Sequence, residues 1–100
     1  MVKHIILWNF KEEYTDIQKE EIKKNAKKAL EALVGKVPGL LDLKVQISCL
    51  PTSNAEMMLD SSLESFDALK AYSMHPDHVT AADKFVRPFT ASRCCIDFEI

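Results

Sequence analysis

The sequence predicts a small α+β domain of β-α-β-β-α-β order, and three observations carry that expectation. Four segments alternate apolar and polar side chains with the period of a strand, and two longer ones repeat apolar groups with the period of a helix. Proline, glycine and Ser/Asn clusters separate them. At 100 residues the chain is one domain's worth, spanning 1–100.

A first strand is predicted over residues 2–10, with His4, Ile6, Trp8 and Phe10 on one face and Lys3, Ile5, Leu7 and Asn9 on the other. Thr15 is placed to cap a helix, with Gln18 three residues on completing a capping box and Asp16 in the first turn. Ile17, Ile22, Ala26, Ala29, Leu30, Leu33 and Val34 then recur at helical spacing. Gly35 suits a left-handed terminus, and Pro38-Gly39 forbids continuation. In the second strand Leu41, Leu43, Val45, Ile47 and Cys49 face one way, and Asp42, Lys44, Gln46 and Ser48 the other.

After turn residues 51–54, a third strand over about 55–63 sets Met57, Leu59 and Leu63 against Met58, Asp60 and Ser62. Ser65 caps a second helix carrying Ala68, Leu69 and Tyr72 inward. Pro76 interrupts it and starts another segment that Pro88 ends. In the last strand, 93–100, Cys94, Ile96, Phe98 and Ile100 oppose Arg93, Cys95, Asp97 and Glu99.

This order is the ferredoxin-like arrangement, a four-stranded antiparallel sheet with right-handed crossovers that put the helices on one face. The more apolar face, with Ile6, Trp8, Val45, Ile47, Leu59, Ile96 and Phe98, is expected under the helices, and His4 shares it by parity. The other face mixes Ile5, Leu7, Met58 and Cys95 with Lys3, Lys44, Gln46, Asp60 and Asp97. Such a face is either wet or partnered.

Lysine plus arginine number 13 against 15 acidic residues, so no basic footprint for nucleic acid exists. Lys23, Lys24, Lys27 and Lys28 are interleaved with Glu20, Glu21 and Glu31, the pattern of a solvated helix face. No segment has the length or apolarity of a membrane span or secretory signal. The three cysteines read as small core residues. Cys94 and Cys95 point to opposite faces and are poor partners for each other, so reduced thiols and a cytoplasmic location are expected.

Several segments together, Val2 to Lys11, Val37-Pro38-Gly39, Tyr72-x-x-His75-Pro76-x-His78-Val79 and Asp97 to Ile100, resemble the stress-responsive dimeric α/β-barrel (Dabb) family. The likeness keeps order and spacing over nearly the whole chain. It implies a homodimer whose sheets pack their non-helical faces into a shared barrel. For activity it implies less, since most members have no assigned role. In one plant member, olivetolic acid cyclase, a histidine acts as base, a tyrosine assists and a strand histidine lines the cleft, without a cofactor. The matching positions here are His78, Tyr72 and His4. Related barrels act as cofactor-free monooxygenases or lyases, so no cofactor is expected. Some members hold a cation at the end of the first helix, here around residues 33–37.

The expected pocket lies between helices and sheet, lined by His4, Ile6, Trp8, Tyr72, His75 and His78. It would take a small, partly apolar molecule, aromatic or carbonyl-bearing. An imidazole with an unperturbed pKa of about 6.5 can take an acidic carbon-bound proton at neutral pH, and a phenol can donate to the enolate that forms. His78 and Tyr72 are the catalytic candidates. His75, Asp77 and His78 are close in sequence, but His75 and His78 flank Pro76 and lack a third spaced ligand, so no metal site is expected. The plain alternative is a structural stress-response dimer in which the histidines cap helix ends and Tyr72 belongs to the core. Trp8 would fill space rather than open it. Cavity volume separates the two: if Trp8 and its neighbours leave less than a few hundred Å3 above His4, the pocket expectation fails.

Overall fold

The computed structural model describes all 100 residues. Its elements are β1 (Val2–Phe10), α1 (Asp16–Glu31), β2 (Leu40–Gln46), β3 (Met57–Leu63), α2 (Phe66–Met74), α3 (Pro76–Phe85) and β4 (Thr90–Glu99). The strands form one antiparallel sheet in the order β2-β3-β1-β4. This is the ferredoxin-like fold, with the second helical segment divided at His75-Pro76.

Local chemistry starts each helix. Thr15 Oγ1 accepts from the Gln18 amide at 3.2 Å, and Gln18 Oε1 accepts from the Thr15 amide at 2.8 Å. Two of the donors that a helix start leaves orphaned are thereby satisfied. Ser65 caps α2 through the Ala68 amide at 3.1 Å. Pro76 opens α3, where its missing N–H costs nothing. Gly39, at φ +84°, lies in the left-handed region, and a Cβ there would meet Ala68 Cβ at 2.7 Å.

The core lies between the helices and the face of β1 that carries Val2, His4, Ile6, Trp8 and Phe10. Val45, Met57, Leu59 and Leu63 extend it across the sheet, and Ala26, Leu30, Leu69 and Tyr72 close it from above.

Four expectations are corrected. The first helix ends at Glu31, and Ile17 is 84% exposed rather than on the inner stripe. A register shift between Leu40 and Asp42 makes Leu40 the buried residue and turns Leu41 outward, because a bulge resets strand parity. All three cysteines are exposed, not core.

The fourth correction matters most. Directly paired residues share a face of the sheet. His4 pairs with Asp97, Ile6 with Cys95 and Trp8 with Arg93, so those β4 residues stand on the helix side. Ile5 pairs with Ile96 and Lys3 with Phe98, which puts these apolar groups on the open face, 60% and 45% exposed. The strand is therefore inverted relative to expectation. β4 lies at the sheet edge, where the helices give little cover, so turning its apolar set inward gains it little.

Candidate functional site

Three rings meet where β1 passes beneath the junction of α2 and α3. Tyr72, at the end of α2, lies 4.4 Å from the His78 ring and 6.1 Å from the His4 ring by centroids. The phenol is 1% exposed, and its hydroxyl has no hydrogen-bond partner. Burial pushes its pKa up, so the hydroxyl keeps its proton and is available only as a neutral donor.

His78 owes its place to the helix break. Pro76 starts α3 one residue after the cap, and His78 then hangs back over the end of α2. Its Nδ1 lies 3.2 Å from the Ser73 carbonyl oxygen. A carbonyl only accepts, so Nδ1 carries the proton and Nε2 keeps its lone pair. Desolvation, with the nearby charges of Arg87, His4 and Arg93, lowers the pKa of His78 against the opposing pull of the Ser73 carbonyl. At neutral pH the ring is an uncharged base.

His4 is buried, and its Nδ1 lies 2.5 Å from Asp97 Oδ1 across the β1–β4 pair. The carboxylate accepts, which fixes the His4 tautomer and ring plane. Cys95 Sγ stands 3.8 Å from the same nitrogen. Partial desolvation beside the sheet and the Asp97 charge push that thiol's pKa up, the opposite of an activated nucleophile.

The hollow above this part of the sheet measures about 110 Å3. Ile6, Trp8 and Leu59 form its apolar floor, and His78, Arg87 and Arg93 its polar side. It is not lined by His4 and falls short of the few hundred Å3 that the expected pocket requires, so the pocket for an aromatic ligand above His4 is not formed and only a much smaller molecule would fit. Trp8, buried in the core, is among the residues that wall the hollow. A larger groove of about 400 Å3 runs past Ile22, Phe85 and Phe89, but it carries no histidine and stands apart from the ring cluster.

Of the six expected pocket residues, Ile6, Trp8 and His78 line the hollow. His4 and Tyr72 support it from the buried side through their ring contacts. His75 turns to its own backbone, its Nδ1 accepting from the Asp77 amide at 3.1 Å to cap α3. Near the end of α1, the Leu33 carbonyl accepts from both the Lys36 and Val37 amides, and the Val37 carbonyl from Leu40. Sequence reasoning missed Asp97, Arg87 and Arg93. The register of β4 against β1 was the signal that places Asp97 and Arg93, and that register is invisible from the periodicity of β4 alone.

The family model described as Stress responsive A/B Barrel Domain matches residues 2–100. A dimeric protein of unknown function and ferredoxin-like fold from Bacteroides fragilis is 30% identical, covering 99% of this chain and 95% of its own at a TM-score of 0.91. A dimeric ferredoxin-like protein of unknown function from Thermobifida fusca is 25% identical, with coverage of 99% and 90% and a TM-score of 0.78. The hydroxynitrile lyase of Passiflora edulis shares the fold at 16% identity, with coverage of 99% and 92% and a TM-score of 0.74. No curated protein matches the sequence significantly.

Proposed function

The chain belongs to the stress-responsive A/B barrel (Dabb) family, and from that premise we propose that it works as a homodimer whose protomers each bind a small carbonyl-bearing molecule beside His78. The observation that carries the ligand reading is the state of the His78 ring: its proton is committed to Ser73, its other nitrogen is free, and it borders a hollow with an apolar floor. A carbonyl compound of a few heavy atoms suits about 110 Å3, whereas an aromatic ligand does not.

The homodimer is supported by the open face. Leu7, Ile96 and Phe98 leave an apolar strip on it that a second sheet would cover, and the Bacteroides fragilis relative is described as dimeric. Three free thiols suit a reducing compartment, which favours the cytoplasm.

A second reading makes the site catalytic. His78 Nε2 would take a proton from the carbon next to the carbonyl; the C–H electron pair would become the C=C bond of the enolate as the C=O π pair moves onto the oxygen. Tyr72 would steady the His78 ring against which it packs. The shared fold of a lyase is compatible with this, and no cofactor is needed.

Titration with three- and four-carbon ketones and aldehydes tests both. Binding is expected to shift the indole N–H resonance of Trp8, the single tryptophan, in saturable fashion. Catalysis is expected to appear as deuterium uptake into the ligand in D2O, lost in His78→Ala. Uptake unchanged by that substitution removes His78 from the chemistry, and no saturable shift removes the pocket.

A further inference from the structure

The chain contains only two arginines against many lysines. Both arginines, Arg87 and Arg93, line the hollow beside His78, and no lysine does. They reach it from different elements. Arg87 follows the end of α3, and Arg93 stands on the helix-facing side of β4, paired with Trp8 of the floor. The inversion of β4 is what brings Arg93 here.

The two differ in how far they are already committed. Arg87 is ion-paired with Asp83 on the exposed turn before it. Arg93 is in no ion pair; its helix-side neighbour Asp97 is turned towards His4, and its one side-chain neighbour on the strand is the uncharged Cys95 thiol. A guanidinium is a planar fork of donors that matches a carboxylate with two parallel hydrogen bonds, which an ammonium cannot do. On a chain of net charge −2, the unpaired guanidinium of Arg93 at this hollow, with Arg87 beside it shared with Asp83, makes a local anion site.

We infer that the ligand is a small oxo acid: its carboxylate is held by Arg93, with Arg87 beside it, and its carbonyl end lies over Ile6 and Trp8 towards His78. This rests on the ligand reading above and names the chemical class. Size selects within anions. About 110 Å3 holds a short carbon frame with one carboxylate, and a phosphate ester exceeds it. The arrangement also divides the labour, with the fixed cations orienting the ligand and the uncharged His78 left free to accept a proton.

The test compares pyruvate with pyruvamide, which has the same shape but no charge, on the intact protein by the Trp8 indole resonance. Pyruvate is expected to bind roughly ten-fold or more tighter, the usual worth of a hydrogen bond to a charged group. Arg93→Gln is expected to bring pyruvate down to the level of pyruvamide, and Arg93→Lys to recover only part. Arg93 is exposed, so these variants should fold, and an unchanged amide spectrum elsewhere verifies it. Equal binding of the two probes with no effect of Arg93→Gln overturns the oxo-acid assignment and leaves the carbonyl pocket standing. Orthophosphate binding as tightly as pyruvate also overturns it. If neither carbonyl probe shifts the indole signal, the pocket and the assignment fall together.

Discussion

Ile96→Asp addresses the apolar strip on the open face of the sheet. Ile96 pairs with Ile5 in the middle of the β1–β4 ladder and is 60% exposed in the protomer. Full burial of an isoleucine contributes about 1.5–3 kcal/mol, so covering the part still open is worth about 1–2 kcal/mol. Two-fold symmetry counts the side chain twice, giving about 2–4 kcal/mol, or roughly 30- to 1,000-fold in the dimer dissociation constant. A buried carboxylate adds its desolvation to that loss. Sedimentation equilibrium reads the outcome directly: the wild type is expected at dimer mass in the micromolar range and Ile96→Asp at protomer mass with an unchanged circular dichroism spectrum. Ile17→Asp, on the exposed outer side of α1, is the control and should remain dimeric. A variant that keeps wild-type mass at the same concentration refutes the sheet face as the dimer contact.

Other consequences follow from single contacts. Tyr72→Phe removes a hydroxyl that has no protein partner, so urea unfolding should change by less than about 1 kcal/mol, whereas Tyr72→Ala should cost about 3–5 kcal/mol. A large loss in the Phe variant would mean that the hydroxyl is bonded. Gly39→Ala must place a Cβ at 2.7 Å from Ala68 with φ at +84°, and a loss of about 1–3 kcal/mol is expected in the same assay. Stability should also depend on His78. Its folded pKa lies below the unfolded value of about 6.5, so the unfolded chain binds the proton first and stability falls as pH drops from above 6.5 through the folded value. His78→Gln should flatten that part of the profile. An equally steep fall in the variant would assign it to other groups.

Much of the fold was legible because local signals agreed with the global arrangement. The alternation of β1, the Thr15–Gln18 capping box and the break at Pro76 each needed only neighbours in sequence, and each appears as predicted. The failures in the sheet share one cause, since each depended on a partner strand that local periodicity does not contain. Leu41 turns outward because a bulge against β3 resets its parity. β4 alternates equally well in either orientation, and placing its apolar set inward assumed helix cover that an edge strand largely lacks. That error hid the candidate site's polar half. With β4 inverted, Asp97 reaches His4 and Arg93 reaches the hollow, and neither position follows from composition or spacing. His78 and Tyr72 were legible through the family resemblance and the helix break, but the small volume of the hollow needed the packed structure.

The central claim is that His78 presents an uncharged ring with its free nitrogen at the hollow, and 15N-detected NMR of the imidazoles tests it without any ligand. The predicted result is a proton on Nδ1 of His78 at neutral pH and a titration midpoint below about 6.5. A proton on Nε2, or a midpoint at or above that value, would contradict the account, because the nitrogen assigned to the ligand would then be occupied.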